Sequence, residues 1–151
     1  MADIVLDVNA FRIFADEERS KRFVDKVMEK CHHIYVLHNI ADQVVYIFKK
    51  FLPLQLLTCL KRLKSAGKYH VVPRSEIGRE KLLPRIKEEL ERYNADSDDK
   101  DLAMLALRRR EKGQEVYLVS KDSCFLNNRE LFKSHGIEVM DWEELIAILG
   151  S

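Results

Sequence analysis

Short apolar runs alternate along the chain with longer segments in which apolar residues recur at helical spacing. The runs have the length and the branched side chains of buried strands, and they cover residues 4–6, 34–37, 69–73, 115–119 and 137–140. The longer segments have the period of amphipathic helices, and they cover residues 17–31, 40–48, 54–63, 79–93, 97–110, 126–136 and 142–149. In the fourth of these, Pro84 favours a start near Leu83. Strands separated by helices predict an α/β fold with a parallel sheet and right-handed crossovers.

The length of 151 residues suits one domain, which we expect to span residues 1–151. The chain has no apolar run long enough for a membrane span, and its first residues lack the pattern of a signal peptide. The three cysteines, Cys31, Cys59 and Cys124, are scattered and odd in number, which is typical of reduced and mostly buried thiols. These features predict a cytoplasmic protein.

Aspartates stand where strands end or helices begin, and the carboxyl ends of parallel strands meet at one rim of a sheet. The aspartates in such places are Asp7, Asp42, Asp99 and Asp122. At the start of the helix 97–110, Asp98 and Asp99 both project near the direction of the apolar stripe, whereas Asp101 points away from it. Each of these acids taken alone is equally explained as a helix or turn cap.

Several carboxylates that converge without arginine partners repel one another, and such clusters typically hold Mg²⁺ or Mn²⁺. Ions of this kind generate a hydroxide nucleophile and stabilise charge on a phosphoryl group. The chain contains no GxxxxGK[ST], GxGxxG or GxSxG motif, which disfavours ATP, dinucleotide and serine-hydrolase chemistry. The spacing of His32, His33 and His38 matches no common zinc site.

Three segments of the chain together resemble the PIN-domain family of metal-dependent ribonucleases. The first is the opening strand with the residues directly after it, IVLDVNAF, which contains Asp7 and Asn9. The second is the helix start DKDLAMLA, similar to D-x-x-[IL]-A-x-x-A, which selects Asp99 rather than Asp98. The third is LVSKDSCF, similar to a strand followed by [ST]-x-D-x-x-F, which contains Ser120 and Asp122.

The resemblance implies a three-layer α/β/α fold with a central, mostly parallel sheet, and a metal-dependent endoribonuclease whose products carry 5′-phosphate and 3′-hydroxyl ends. It implies that Asp7, Asp99 and Asp122 hold Mg²⁺ or Mn²⁺, and that Asn9 and Ser120 orient carboxylates or water. The family usually has a glutamate at the position of Asp42. Aspartate is one methylene shorter than glutamate. Three interpretations of Asp42 are therefore open: it binds the metal directly, it binds the metal through a water, or it is only a charge at the start of the helix.

Charge is distributed unevenly along the chain, and this bears on whether the chain binds RNA. The net charge is +1, but residues 43–92 contain 12 lysines and arginines against 5 aspartates and glutamates. Such a segment either guides a polyanion or forms a solvated helix surface. The candidates for contact with the RNA backbone are Lys49, Lys50, Lys61 and Arg62.

Two kinds of role fit the resemblance. A compact PIN-like chain resembles the toxin of VapC-type toxin–antitoxin pairs, which are often homodimers and bind a small antitoxin protein, and an RNA-processing nuclease has the same motifs. The alternative from another class is a non-catalytic PIN-like module that binds RNA or protein. A receiver-like signalling domain fits less well, because that pattern has an acidic pair at the first strand and a lysine after the last one.

Overall fold

The computed structural model describes the backbone of residues 1–49 and 54–150 and the side chains of residues 1–46 and 56–150. Its centre is a five-stranded sheet in the order β3-β2-β1-β4-β5, in which every neighbouring pair is parallel. The strands are β1 (Ala2–Leu6), β2 (His33–Leu37), β3 (Tyr69–Val72), β4 (Glu115–Val119) and β5 (Ile137–Met140). The predicted parallel α/β sheet is therefore confirmed.

Helices connect the strands. They are α1 (Glu17–Glu29), α2 (His38–Lys49), α3 (Leu54–Ser65), α4 (Pro84–Arg92), α5 (Ser97–Glu111), α6 (Ser123–Leu126), α7 (Arg129–Ser134) and α8 (Trp142–Leu149). Short 3₁₀ segments cover Val8–Ala15, Arg74–Glu76 and Arg79–Lys81. None of the helices in the described part of the chain is both long and apolar enough to cross a bilayer.

The strand order places the helices on both faces of the sheet. From β1 the chain moves outward through β2 to β3, and then it returns to β4 on the other side of β1. Right-handed crossovers in opposite directions lie on opposite faces. Accordingly, α1 packs against α3 and α8, whereas α5 packs against β1, β4, β5 and α4. This is the predicted three-layer α/β/α architecture, and the crevice between the carboxyl ends of β1 and β4 is its topological switch point.

The core explains why β1 is the centre of the sheet. All five of its residues are buried, because helices cover both faces and a strand lies on each side. Each large aliphatic side chain buried in this way contributes roughly 1.5–3 kcal/mol. The one charged side chain of β1 is Asp3, which is 2% exposed and accepts a hydrogen bond from Arg109 at 2.8 Å. The strand β1 is therefore enclosed by the rest of the domain along its whole length.

The structure settles the start of one predicted helix and divides another. The fourth begins at Pro84 with Leu83 as its N-cap, in agreement with the later start, because proline lacks an N–H and disfavours helix in the residue before it. The prediction of one continuous helix over residues 126–136 is wrong. The chain there forms α6 and α7, and between them the side chain of Asn128 donates to the carbonyl of Cys124 at 2.8 Å.

The prediction that Asp101 points away from the buried side of α5 is wrong. Asp101 is 1% exposed, and its carboxylate accepts hydrogen bonds from Arg79 at 2.6 and 2.9 Å. Gly78, with a φ of 67°, makes the left-handed turn that directs Arg79 onto α5. The segment that contains Arg79, 22 residues earlier in the chain, thus covers the face of α5 on which Asp101 lies.

Candidate metal centre

Asp7 lies directly after β1, and its carboxylate is fixed by hydrogen bonds. One oxygen accepts from the backbone N–H of Val8 at 2.7 Å, which caps the following 3₁₀ segment. The other accepts from the Ser120 hydroxyl at 2.7 Å and from the Asn9 amide at 3.5 Å. Asp7 is only 6% exposed. Its position is therefore set by both the β1 and the β4 ends of the sheet.

Ser120 and Asn9 join the segment after β4 to the segment after β1. The Ser120 oxygen, besides donating to Asp7, accepts from the backbone N–H of Asp122 at 3.1 Å. The Asn9 side-chain oxygen accepts from the backbone N–H of Lys121 at 3.0 Å. Both residues are thus placed to orient the neighbouring acids, which is the role that the sequence resemblance implies for them.

Asp99 reaches the same crevice from α5, which runs antiparallel to the strands and begins at their carboxyl edge. Its side chain accepts from the backbone N–H of Asp96 at 3.0 Å, and the Asp96 side chain accepts from the backbone N–H of Asp99 at 2.9 Å. This reciprocal capping box fixes the first turn of the helix. The spacing of Asp96 and Asp99, three residues apart before a helix, is the sequence signal for it.

The three aspartates meet at the switch point. One carboxylate oxygen each from Asp7, Asp99 and Asp122 lies within 4.8 Å of the other two. Asp7 is the most deeply buried, and the other two are more accessible. No salt bridge in the described part of the chain involves any of these acids. The cluster therefore concentrates negative charge without a basic partner.

Burial, and to a lesser extent the neighbouring negative charges, raises the pKa values of the three acids. Burial raises the pKa of Asp7, although the hydrogen bonds from Ser120 and Val8 oppose the shift. Burial, together with the charges of Asp96 and Asp122, raises the pKa of Asp99 to about 6. Burial and the adjacent Asp7 carboxyl raise the pKa of Asp122 to about 6. A divalent cation would relieve this repulsion, because it neutralises the charges that repel.

Asp42 is not brought into the cluster. Since α2 begins at His38, immediately after β2, Asp42 already lies in the second turn of the helix. Its side chain is 71% exposed, and its carboxylate lies 3.4 Å from the Nδ1 atom of His38. Asp42 therefore lies on the solvent side of α2, where it forms a surface pair with His38.

Lys61 and Arg62, the two basic candidates whose side chains the structure describes, are not next to the acids either. Lys61 and Arg62 lie near the end of α3, which leads to the amino ends of β2 and β3, where the Ile34 N–H donates to the Lys68 carbonyl at 2.7 Å. Arg62 is paired with Asp25 at 2.7 Å. The side chain of Lys49 and the whole of Lys50 lie outside the described residues. Two other lysines, Lys100 and Lys121, are each adjacent in sequence to an acid of the cluster. The Lys100 ammonium is paired with Glu91 at 2.9 Å, and the Lys121 ammonium is paired with Glu143 at 3.1 Å.

Fold and site together define an α/β domain with a three-carboxylate cluster at the switch point of a parallel sheet. A search against protein-family models and a search of curated proteins both find no match. The chemistry of the site is therefore argued from its own geometry. Oxygen ligands alone, without histidine or cysteine, suit Mg²⁺ or Mn²⁺ rather than softer metals.

Proposed function

We propose that the protein is a PIN-like, metal-dependent endoribonuclease that hydrolyses RNA phosphodiester bonds. The observation that carries the proposal is the convergence of Asp7, Asp99 and Asp122 within 4.8 Å at the switch point, without a basic partner among the described residues. A cluster of this kind costs stability in the absence of a cation, and that cost is typical of a functional site.

The donor set fits a small divalent cation. Oxygen ligands of an octahedral ion at about 2.1 Å lie roughly 3–4 Å apart. A separation of up to 4.8 Å therefore requires only a small adjustment of the side chains. A bound Mg²⁺ or Mn²⁺ would supply a deprotonated water as nucleophile and offset charge on the phosphoryl group.

The residues of the chain have distinct parts in this proposal. Asp7, held from both sides, is the rigid ligand, while Asp99 and Asp122 close the site from α5 and from the segment after β4. The Ser120 hydroxyl donates to the Asp7 carboxylate and accepts from the backbone N–H of Asp122, so it orients the Asp7 side chain and the Asp122 backbone. RNA as the substrate, and 5′-phosphate products, follow from the motif resemblance.

The biological role and the partners are also proposals from that resemblance. A toxin with a small antitoxin protein and an RNA-processing nuclease share this chemistry, and a small gene directly upstream distinguishes the two. A homodimer is supported by apolar side chains on α2 and α3, since Val45, Tyr46 and Leu57 are each more than half exposed. Sedimentation of the purified chain measures its oligomeric state.

A second function is favoured by the position of Asp42. With that carboxylate on the surface, the cluster contains three acids rather than four. A non-catalytic PIN-like module that binds RNA or protein would retain the same fold and cluster. Turnover in the presence of metal separates the two functions.

The first prediction is that the purified protein cleaves single-stranded RNA with Mn²⁺ or Mg²⁺ and stops when EDTA is in excess. The physical reason is that the cluster itself contains only carboxylates, which need a cation to activate water. Gel analysis of a labelled oligoribonucleotide measures it. Cleavage that continues in EDTA would contradict the proposal, and metal-dependent binding without any cleavage would favour the non-catalytic module.

A further inference from the structure

An indole with two cations against its ring lies at the start of the last helix. Trp142 is the first residue of α8, which follows β5 at the same carboxyl edge of the sheet. The guanidinium carbon of Arg19 lies 4.6 Å from the ring centroid, and the ammonium of Lys121 lies 5.3 Å from it. Trp142 is the only tryptophan of the chain. This part of the surface therefore combines one aromatic ring with two cations.

The two cations are held very differently. Arg19 is anchored, because its guanidinium donates to the carbonyls of Ile13 at 3.1 Å and Arg12 at 2.6 Å. Lys121 is exposed, and its ammonium forms a 3.1 Å ion pair with Glu143, whose side chain is 62% exposed. Such surface pairs open at little cost. One cation thus forms a fixed support for the indole, whereas the other can leave it.

Lys121 links this indole to the acid cluster. It stands between Ser120 and Asp122, and its backbone N–H donates to the Asn9 side chain that also contacts Asp7. Its backbone is therefore fixed at the acids, while its side chain reaches the Trp142 ring. A strand whose phosphate lies at the acids would pass over this residue.

The indole N–H of Trp142 is enclosed by the protein. Trp142 Nε1 is buried and has no hydrogen-bond partner, alone among the side-chain polar atoms that the structure describes in buried positions. A ligand at this position therefore meets the ring of the indole rather than its N–H. Trp142 is partly buried and packs against the core, and its ring also lies near the Lys121 ammonium.

We propose that Trp142 and Lys121 form a nucleotide-binding subsite for single-stranded RNA, in which a base stacks on the indole and displaces the lysine ammonium onto a neighbouring phosphate. The choice of RNA as the strand rests on the proposed nuclease function. Aromatic rings bind the bases of single strands by stacking, and lysines bind their phosphates. Because every base has a π-face, the subsite tolerates different bases.

The test uses the emission of Trp142, which reports on this position alone because no other tryptophan is present. Oligoadenylate and oligouridylate are titrated into the full chain in EDTA, where the proposed cleavage is silent. We expect saturable quenching of the tryptophan emission by both oligonucleotides.

The affinities of variants are measured by the anisotropy of labelled RNA. We expect Trp142→Leu to bind about 10- to 100-fold more weakly than the parent, and Trp142→Phe to recover part of the loss. Lys121→Gln lowers the salt slope of binding by about 0.7.

Lys112→Gln is the matched control, because it removes one exposed lysine at the far end of α5 and leaves affinity unchanged. Quenching with the expected losses, but no cleavage in Mn²⁺, would support the subsite and contradict the nuclease. Cleavage without quenching, with wild-type affinity in Trp142→Phe and Lys121→Gln, would overturn the subsite and leave the nuclease intact. Since Lys121 is exposed, its variant keeps the test decisive even if Trp142→Leu unfolds.

Discussion

Asp122→Asn is expected to lower the metal-dependent rate of RNA cleavage by about 100- to 1000-fold, the loss typical when one group that stabilises transition-state charge is removed. Asp122 offers one of the three converging oxygens, and asparagine keeps the shape while it removes the charge. The side chain makes no capping hydrogen bond to α6, so the substitution removes no helix cap. Single-turnover rates at saturating Mn²⁺ measure the effect.

Asp42→Asn is the discriminating companion of that variant. Its carboxylate is exposed and contacts only the His38 ring among the contacts described for it. We expect a rate within about fivefold of the parent, which corresponds to the roughly 1 kcal/mol that a surface pair contributes at most. Asp25→Asn, on the surface of α1, controls for the loss of one negative charge. Equal damage from Asp42→Asn and Asp122→Asn would mean that α2 supplies a fourth functional acid.

The difference between these two acids shows what the sequence alone can predict. Asp7 and Asp122 follow strands whose apolar runs are unambiguous, and parallel strands bring their carboxyl ends to one rim. Asp99 is recognised from a helix start with its own capping signal. The direction in which Asp42 points depends on the residue at which α2 begins and on the orientation of the helix about its own axis. A shift of one residue turns a helical side chain by about 100°, and no local pattern fixes that rotation.

Long-range contacts explain the other differences. Asp101 looks like a solvent-facing residue because the periodicity of α5 contains no information about Arg79, 22 residues earlier. The order of the strands is likewise not a local property, so the pattern predicts a parallel sheet without locating the switch point between β1 and β4. The convergence of three acids is a consequence of that order. For the same reason the sequence contains no signal that Lys121 meets Trp142, 21 residues later.

Without metal, Asp122→Asn is expected to be more stable than the parent at pH 7. The pKa of Asp122 is raised from 3.8 to about 6, so the native chain binds more protons than the unfolded chain between these values. The parent therefore loses stability as pH rises through this interval, and the loss is complete at neutral pH. Allowing for screening at a partly exposed group, we expect a gain on the order of 1 kcal/mol, or about 2–4 °C in Tm. Near pH 4 the two proteins should melt alike.

Asp7→Asn should behave in the opposite way. Both oxygens of Asp7 accept hydrogen bonds, from Val8 and from Ser120, and an asparagine amide directs N–H groups at one of these donors. The lost hydrogen bond at a buried position costs about 1–3 kcal/mol. We expect this cost to exceed the gain from removing the buried charge, because the same hydrogen bonds already oppose the rise in the pKa of Asp7 that burial causes. This variant should therefore melt below the parent at pH 7. Comparison of Asp7→Asn with Asp122→Asn thus distinguishes the effect of the cluster's charge on stability from the effect of its hydrogen bonds.

Bound metal is expected to reverse the order of thermal stability of the parent and Asp122→Asn. A ligand that binds only the native state stabilises it by about 2.7 kcal/mol at a hundredfold excess over its Kd. Millimolar Mn²⁺ should therefore raise the Tm of the parent well above that of Asp122→Asn, which has lost one of the three carboxylates. Calorimetric melts of the three proteins at pH 4 and pH 7, with and without Mn²⁺, measure both effects. If the parent and Asp122→Asn respond equally to Mn²⁺, and Asp122→Asn melts lower than the parent in its absence, the aspartates are structural and the proposed metal centre is wrong.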